Sequence, residues 1–304
     1  MLETNLGEIR ALAENPDPII PDRPNITLLT PPLNPGSDPN FFDLSPNDDV
    51  VQLPNGILRN TPGGLRALNG NDFVRGSEDA ELMNGNSGQD VLIGGCGNDT
   101  LRGGQDYDIL YGECGNDLLS GDADSDVVYG GTGNDFIRGG KGNDALVGDS
   151  GDDILIGDAG VDRLWGKEGA DLFILKREAG ATSREFGSDQ PRPIGTVPPP
   201  LDEVPADFIL DYNPAQGDVI GLAGGLTVND IVLTEKFMTI GEAREYDSNG
   251  PIRPGTPQTL EFRGLDTKAT VIREASTGNI LGLVKEVSPS QIRFNLVGLD
   301  AIIG

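Results

Sequence analysis

GGCGNDTLR (residues 94–102), GGTGNDFIR (130–138) and GGKGNDALV (139–147) are the clearest copies of a nine-residue unit that runs from Ala67 to Ile174. Twelve copies follow one another across this span without an insertion. The period is too short for a helical repeat, and its glycines break any continuous helix. When GGxGND fills positions one to six, position six is always acidic. It is Asp72, Glu81, Asp90, Asp99, Asp108, Asp117, Asp126, Asp135, Asp144, Asp153, Asp162 and Asp171. Position eight is always apolar, from Val74, Met83 and Leu92 through Leu146 to Leu164 and Phe173. The glycines let the backbone take positive φ and bring several carbonyls to one point. The residues after the acid read as extended, with position eight turned inward and positions seven and nine outward. One nonapeptide cannot build a core alone. Two of them facing each other make an 18-residue coil, and six stacked coils bury a continuous apolar column.

Composition narrows the function. The chain has 304 residues, with 44 glycines and 22 prolines, which favours turns over helices. It carries 49 acidic and 22 basic residues, a net charge of −27, and the repeat block alone holds 22 acids against 6 bases. Such a chain repels nucleic acid and needs cations to stay compact. Turns rich in carboxylates and carbonyls suit hard divalent cations. There is no histidine, which excludes histidine-based triads, histidine general bases and histidine-ligated zinc. No apolar run is long enough to span a membrane. The N-terminal stretch contains Glu3, Glu8 and Glu14 and no apolar run, so no cleaved signal peptide is expected. The protein then either stays in the cytoplasm or leaves by a route that does not read the N-terminus.

The repeats resemble the haemolysin-type calcium-binding repeat of the RTX family, G-G-x-G-x-D-x-U-x. The resemblance implies an all-β fold, a right-handed parallel β-roll, with Ca²⁺ held between turns one full coil apart. It implies that each ion is bound by the position-six Asp of two neighbouring turns. Backbone carbonyls from positions two and four of one turn and one and three of the next complete the set. Carried onto this sequence, Asp99, Asp117, Asp135, Asp153 and Asp171 line one edge. Asp72, Asp90, Asp108, Asp126, Asp144 and Asp162 line the other. Gly94, Gly95, Gly97, Gly130, Gly131, Gly133, Gly139, Gly140 and Gly142 stand for the carbonyl-bearing turns. Pairing neighbours gives up to about ten Ca²⁺, counting a degenerate site that uses Glu81. Asp79, Asp106 and Asp124 replace the glycine at position four, and an unchanged turn would force each to positive φ.

Around the array the organisation is less regular. Residues 1–66 read as a Pro/Asn-rich arm and cap, with Asp49–Leu53 and Gly64–Leu68 as short strands covering the first coil. Residues 67–174 are the roll and 175–206 a Pro-rich linker or loop. Residues 207–304 are a C-terminal β region built on DFILDY, GDVIGL, TLEFRG, ATVIRE, ILGLVKEV and QIRFNLVGL. The segments at 206–226 and 270–287 resemble those that follow the repeats in short bacterial, cyanobacterial-type RTX proteins. The ending Asp300–Gly304 resembles the acidic-then-apolar tail of an uncleaved type I secretion signal, which implies an extracellular or cell-surface location.

Cys96 and Cys114 both fall at position three, in adjacent coils of the same edge, where a disulfide and two free thiols both remain open. Outward positions on one sheet form an apolar ladder that includes Ile93, Ile109, Tyr111, Tyr129, Val147 and Trp165. A ladder of that size should be covered, by this chain or by another copy of it. The leading expectation is a non-enzymatic, calcium-folded structural or self-assembling extracellular protein. A calcium-dependent carbohydrate-binding or adhesive module is the alternative, and a non-catalytic remnant or partner of an RTX enzyme a third. HExxH and GxSxG motifs are absent from the sequence.

Overall fold

The computed structural model describes residues 27–28, 38, 40–177, 206–240 and 265–295. Most of the Pro-rich arm, the connection at 178–205 and the Asp300–Gly304 ending lie outside the described residues. The array supplies β5 (Phe73–Arg75), β6 (Leu82–Ser87), β7 (Val91–Cys96), β8 (Thr100–Gln105), β9 (Ile109–Cys114) and β10 (Leu118–Ala123). It continues with β11 (Val127–Thr132), β12 (Phe136–Lys141), β13 (Ala145–Ser150), β14 (Ile154–Ala159), β15 (Arg163–Glu168) and β16 (Leu172–Leu175). Before them come β1 (Thr27–Leu28), β2 (Phe42–Asp43), β3 (Val50–Gln52) and β4 (Leu65–Arg66). After them come β17 (Asp207–Ile209), β18 (Val219–Leu222), β19 (Ile231–Ile240), β20 (Leu265–Glu274), β21 (Ile280–Lys285) and β22 (Phe294–Asn295). Among the described residues the only helices are two 3-10 turns, Val228–Asp230 and Pro289–Gln291.

Successive strands of the array alternate between two sheets, as the period-nine pattern requires, giving a parallel β-solenoid. The first sheet has twelve strands, in the order β1-β3-β5-β7-β9-β11-β13-β15-β17-β21-β20-β19. The second has ten, in the order β2-β4-β6-β8-β10-β12-β14-β16-β18-β22. Register holds at one coil throughout the array: Val128 pairs with Leu146 on the first sheet and Leu119 with Ile137 on the second. Every position-eight side chain from Val74 to Phe173 has 0% exposure, so the two sheets close on a single apolar column. Burying each such side chain contributes about 1.5–3 kcal/mol.

A stack of parallel strands leaves an open edge at each end, and the chain covers both. At the start, β3 and β4 pair with β5 and β6, and Leu44, Val51, Leu53 and Leu65 extend the column. At the far end the C-terminal strands continue both sheets. Phe208 and Ile209 pair with Arg163 and Leu164, and Val219 pairs with Leu172. β21 and β22 add a further layer, and the antiparallel pair of β20 and β19 ends the first sheet. The runs DFILDY, GDVIGL, ATVIRE, ILGLVKEV and the first half of QIRFNLVGL thus supply strands, whereas TLEFRG lies outside the described residues. β19 is absent from those expected runs because Glu235 and Lys236 interrupt its apolar sequence.

The outer faces of the two sheets differ. On the first, Ile93, Tyr111, Val127, Tyr129, Ala145 and Val147 form a second buried cluster, flanked by Phe73, Val91, Tyr107, Ile109 and Trp165. The rings of Tyr111 and Tyr129 stack with centroids 5.0 Å apart. On the second, Leu82 and Leu118 are 37% and 48% exposed. Charged pairs stand beside them: Arg102 meets Asp122 at 2.8 Å, and Arg138 and Lys176 both reach Asp158.

Candidate metal centre

Each turn between strands carries one acid at position six, and the turns repeat one conformation. Positions two and four are left-handed, as at Gly131 (φ 109°) and Gly133 (φ 128°) or, without glycine, at Asp122 (φ 79°) and Asp124 (φ 72°). A side chain there costs about 1–2 kcal/mol of backbone strain, least for Asp and Asn. Packing is as restrictive as φ. A β-carbon on Gly133 would lie 1.7 Å from the Gly115 carbonyl oxygen of the coil below. Asp106 (φ 73°) and Asp124 take the left-handed conformation expected of them. Asp79 does not, and neither does Ser77, so the 76–81 turn departs from the other eleven.

The acids form two ladders. One oxygen of each Asp, Oδ1, accepts the backbone N–H of the acid one coil earlier, at 2.7–3.0 Å from Asp90 to Asp171. The ladders continue past the array. Asp49 donates to Asp72 at 2.7 Å, Asp162 to Asp207 at 3.3 Å and Asp171 to Asp218 at 3.1 Å. Sequence reasoning missed these end members. Their signal is an Asp before two apolar residues, in DFI (207–209) and DVI (218–220). It also missed position five, whose side chains run a parallel ladder of opposite polarity. Asn98 accepts from the N–H of Asn116 at 2.9 Å, and Asn116 from that of Asn134 at 2.7 Å.

The other carboxylate oxygen is the unusual one. Oδ2 of Asp72, Asp90, Asp99, Asp108, Asp117, Asp126, Asp135, Asp144, Asp153 and Asp171 is buried and has no hydrogen-bond partner. These ten residues are 0–3% exposed, and Asp162 is buried like them. Oδ2 faces a cradle that only glycine leaves open. A β-carbon on Gly94 would stand 2.4 Å from Asp99 Oδ2 and 2.9 Å from the carbonyl oxygen of Gly112 in the next coil. For Gly130 the same distances are 2.4 Å to Asp135 Oδ2 and 2.7 Å to the Gly148 carbonyl; for Gly139 they are 2.2 Å to Asp144 Oδ2 and 2.7 Å to the Gly157 carbonyl. Carboxylate and main-chain oxygens therefore converge on one small volume, repeated up both edges. Gly95, Gly97, Gly131, Gly140 and Gly142 complete those turns, each stacked on a carbonyl of the coil below.

Unpaired buried carboxylates are strongly unfavourable, and their proton affinities record it. Burial pushes Asp126 up to about 9, with the Asp144 carboxylate adding to the effect. Burial likewise takes Asp108 to about 8, and Asp72, Asp99, Asp153 and Asp171 to about 7. Asp90 and Asp135 rise to about 6 for the same reason. Asp144 is raised by burial and then by Asp162. A cation beside each Oδ2 would reverse every one of these shifts. Among the described residues, no three carboxylate or thiol side chains converge on one point. The arrangement therefore fits a cation held by carboxylates in neighbouring turns together with carbonyls. That all-oxygen donor set, with flexible geometry and several ligands, suits Ca²⁺ better than zinc or copper.

A parallel β-solenoid whose turns bring carboxylates and carbonyls together at every coil has the design of a cation-binding repeat protein. Residues 65–173 match the RTX calcium-binding nonapeptide repeat, in placements at 65–92, 93–128, 111–146, 120–155 and 138–173. Over those residues the chain carries RTX calcium-binding repeats, which support calcium binding by this part of the protein. No curated protein matches the chain.

Cys96 and Cys114 face each other across β7 and β9 and are joined in a disulfide, their Cα atoms 4.5 Å apart.

Proposed function

We propose that this is a secreted, calcium-folded structural protein of the extracellular space, with no chemistry of its own, that assembles with further copies of itself. Ten buried carboxylate oxygens without a hydrogen bond carry the proposal, because a chain built this way holds its roll only where divalent cations are plentiful. Calcium is scarce inside cells and abundant outside them, so the ladders suit a protein that folds after export. The cation sites are Asp72, Asp90, Asp99, Asp108, Asp117, Asp126, Asp135, Asp144, Asp153, Asp162 and Asp171, completed by carbonyls of their turns. The lack of any histidine supports a non-catalytic role.

Assembly by stacking coil on coil is disfavoured, because added strands cover both ends of the array. The second sheet, with Leu82 and Leu118 exposed, is the better surface for copies to meet. A glycan-binding role is less well supported, since Tyr111 and Tyr129 are 8% and 4% exposed and offer little ring surface to a sugar. Light scattering during a calcium titration tests the proposal. Mass rising with protein concentration only in calcium supports it. A strict monomer at all concentrations removes self-assembly, and calcium-dependent retention on polysaccharide would favour the adhesive reading.

A further inference from the structure

The turn at 76–81 differs from the other eleven in three independent ways. First, Glu81 is satisfied from within its own turn. Its Oε1 accepts the Ser77 hydroxyl at 2.5 Å and its Oε2 accepts the Ser77 N–H at 3.1 Å, whereas ten of the ladder Asp residues leave Oδ2 without a hydrogen bond. Second, neither Ser77 nor Asp79 is left-handed, so this turn lacks the conformation shared by the rest. Third, Asp79 points away to the preceding segment, accepting the N–H of Gly56 and pairing with Arg59 at 3.6 Å. The longer Glu side chain reaches back to Ser77, so the carboxylate oxygen that lines this cradle is already hydrogen-bonded, unlike Oδ2 in ten of the other turns. Built on Gly76, a β-carbon would meet Glu81 Oε2 at 2.8 Å and the Gly94 carbonyl at 1.9 Å.

The fastenings nearest this turn are protein groups as well. Cys96 sits on it, donating its N–H to the Ser77 carbonyl at 2.9 Å. From Cys96 the disulfide runs to Cys114 in the next coil. Arg75 reaches across two coils to grip both carboxylate oxygens of Glu113, at 3.1 and 3.0 Å. On this edge the Glu81–Ser77 bonds close the turn at 76–81 on itself, the disulfide joins the turns at 94–99 and 112–117, and the Arg75–Glu113 ion pair ties the strand entering the first turn to the third. None of these connections requires a metal.

We infer that the 76–81 turn takes no cation, and that with the Cys96–Cys114 bond it forms a cation-independent clamp holding the first three coils in register. The inference rests on the calcium reading of the other turns. Among the repeats on this edge, ions would sit between Asp99 and Asp117, Asp117 and Asp135, Asp135 and Asp153, and Asp153 and Asp171, and not between Glu81 and Asp99. The clamp supplies a preformed end on which later coils can add as calcium arrives. It also makes the calcium requirement sensitive to reduction, because the disulfide is its covalent part.

Hydrogen exchange on the full chain, read by mass spectrometry, separates the possibilities. In chelator, with the disulfide intact, β6 to β9 should exchange at least about tenfold more slowly than β11 to β14. Calcium should protect β11 to β14, and reductant in chelator should abolish the difference. If β6 to β9 open together with β11 to β14 in chelator while calcium protects both, the clamp is refuted. If calcium protects neither, the calcium reading itself fails. Native mass spectrometry in calcium counts the ions. Glu81→Asp, one methylene shorter, should free the cradle and add one ion, and an unchanged count would overturn the inference. Glu81→Gln, which keeps one acceptor oxygen for Ser77 and carries no charge, should bind as many ions as the parent. Loss of an ion there would show Glu81 to be a ligand.

Discussion

Leu146 and Asp144 stand two residues apart on one strand and its turn, and both have 0% exposure, yet burial favours one and opposes the other. The column of position-eight side chains gains free energy simply by leaving water. The position-six ladders lose it, because a carboxylate such as Asp144 gives up hydration and recovers one hydrogen bond at Oδ1 and nothing at Oδ2. One nine-residue unit thus encodes both the drive to stack and a penalty for stacking. On the proposed reading the fold is conditional: the column sets its shape, and occupation of the ladders governs when that shape is adopted.

Acidity should break the contrast most widely. The ladder carboxylates have folded-state proton affinities raised above the unfolded value. Their protonation therefore favours the roll at low pH, and that help is lost as pH rises through about 6 for Asp90 to about 9 for Asp126. In chelator, the melting temperature should fall steadily across this window. In saturating calcium the trend should reverse, because protons then compete with the ion. Parallel trends in the two conditions would mean that cations do not occupy the ladders.

Next in size is the column. Leu146→Ala should cost about 3–5 kcal/mol in calcium, measured by denaturant unfolding, since the buried side chain has no way to collapse between two sheets. Asp126→Asn sharpens the comparison by changing sign with conditions. Without calcium it removes a buried charge beside Asp108 and Asp144 and should stabilise the roll; with calcium it should weaken the sites on either side and destabilise it. Equal effects in both conditions would contradict a ligand role. The smallest change is expected at the surface. Arg102→Ala breaks the exposed pair with Asp122 and should cost at most about 1 kcal/mol, diminishing in high salt.

Much of this architecture is legible in the sequence because the unit is short and uninterrupted. Asp135 and Ile137 need only their own nonapeptide to declare turn and column, and a fixed one-coil register carries the rest. Legibility ends where the spacing does. Asp207 and Asp218 join the ladders at separations of 45 and 47 residues, and parallel pairing across so long a connection leaves no local turn signal. The opposed polarity of the Asn ladder depends on how turns stack, which a list of positions does not contain. Asp79 shows a subtler gap. The expectation of a left-handed residue assumed an unchanged turn, whereas one added methylene at Glu81 let Ser77 close it differently. The first sheet's outer ladder was readable as apolar, and its residues Ile93 and Val147 are 0% and 1% exposed, but which partner an apolar face meets is not written in its period.

The most direct test is circular dichroism of the chelated protein near neutral pH during a calcium titration. The roll should be largely lost at the start and return cooperatively as several ions bind. A chain that is β-rich in chelator, with the same melting temperature before and after calcium, would show that the buried ladder carboxylates do not govern its folding.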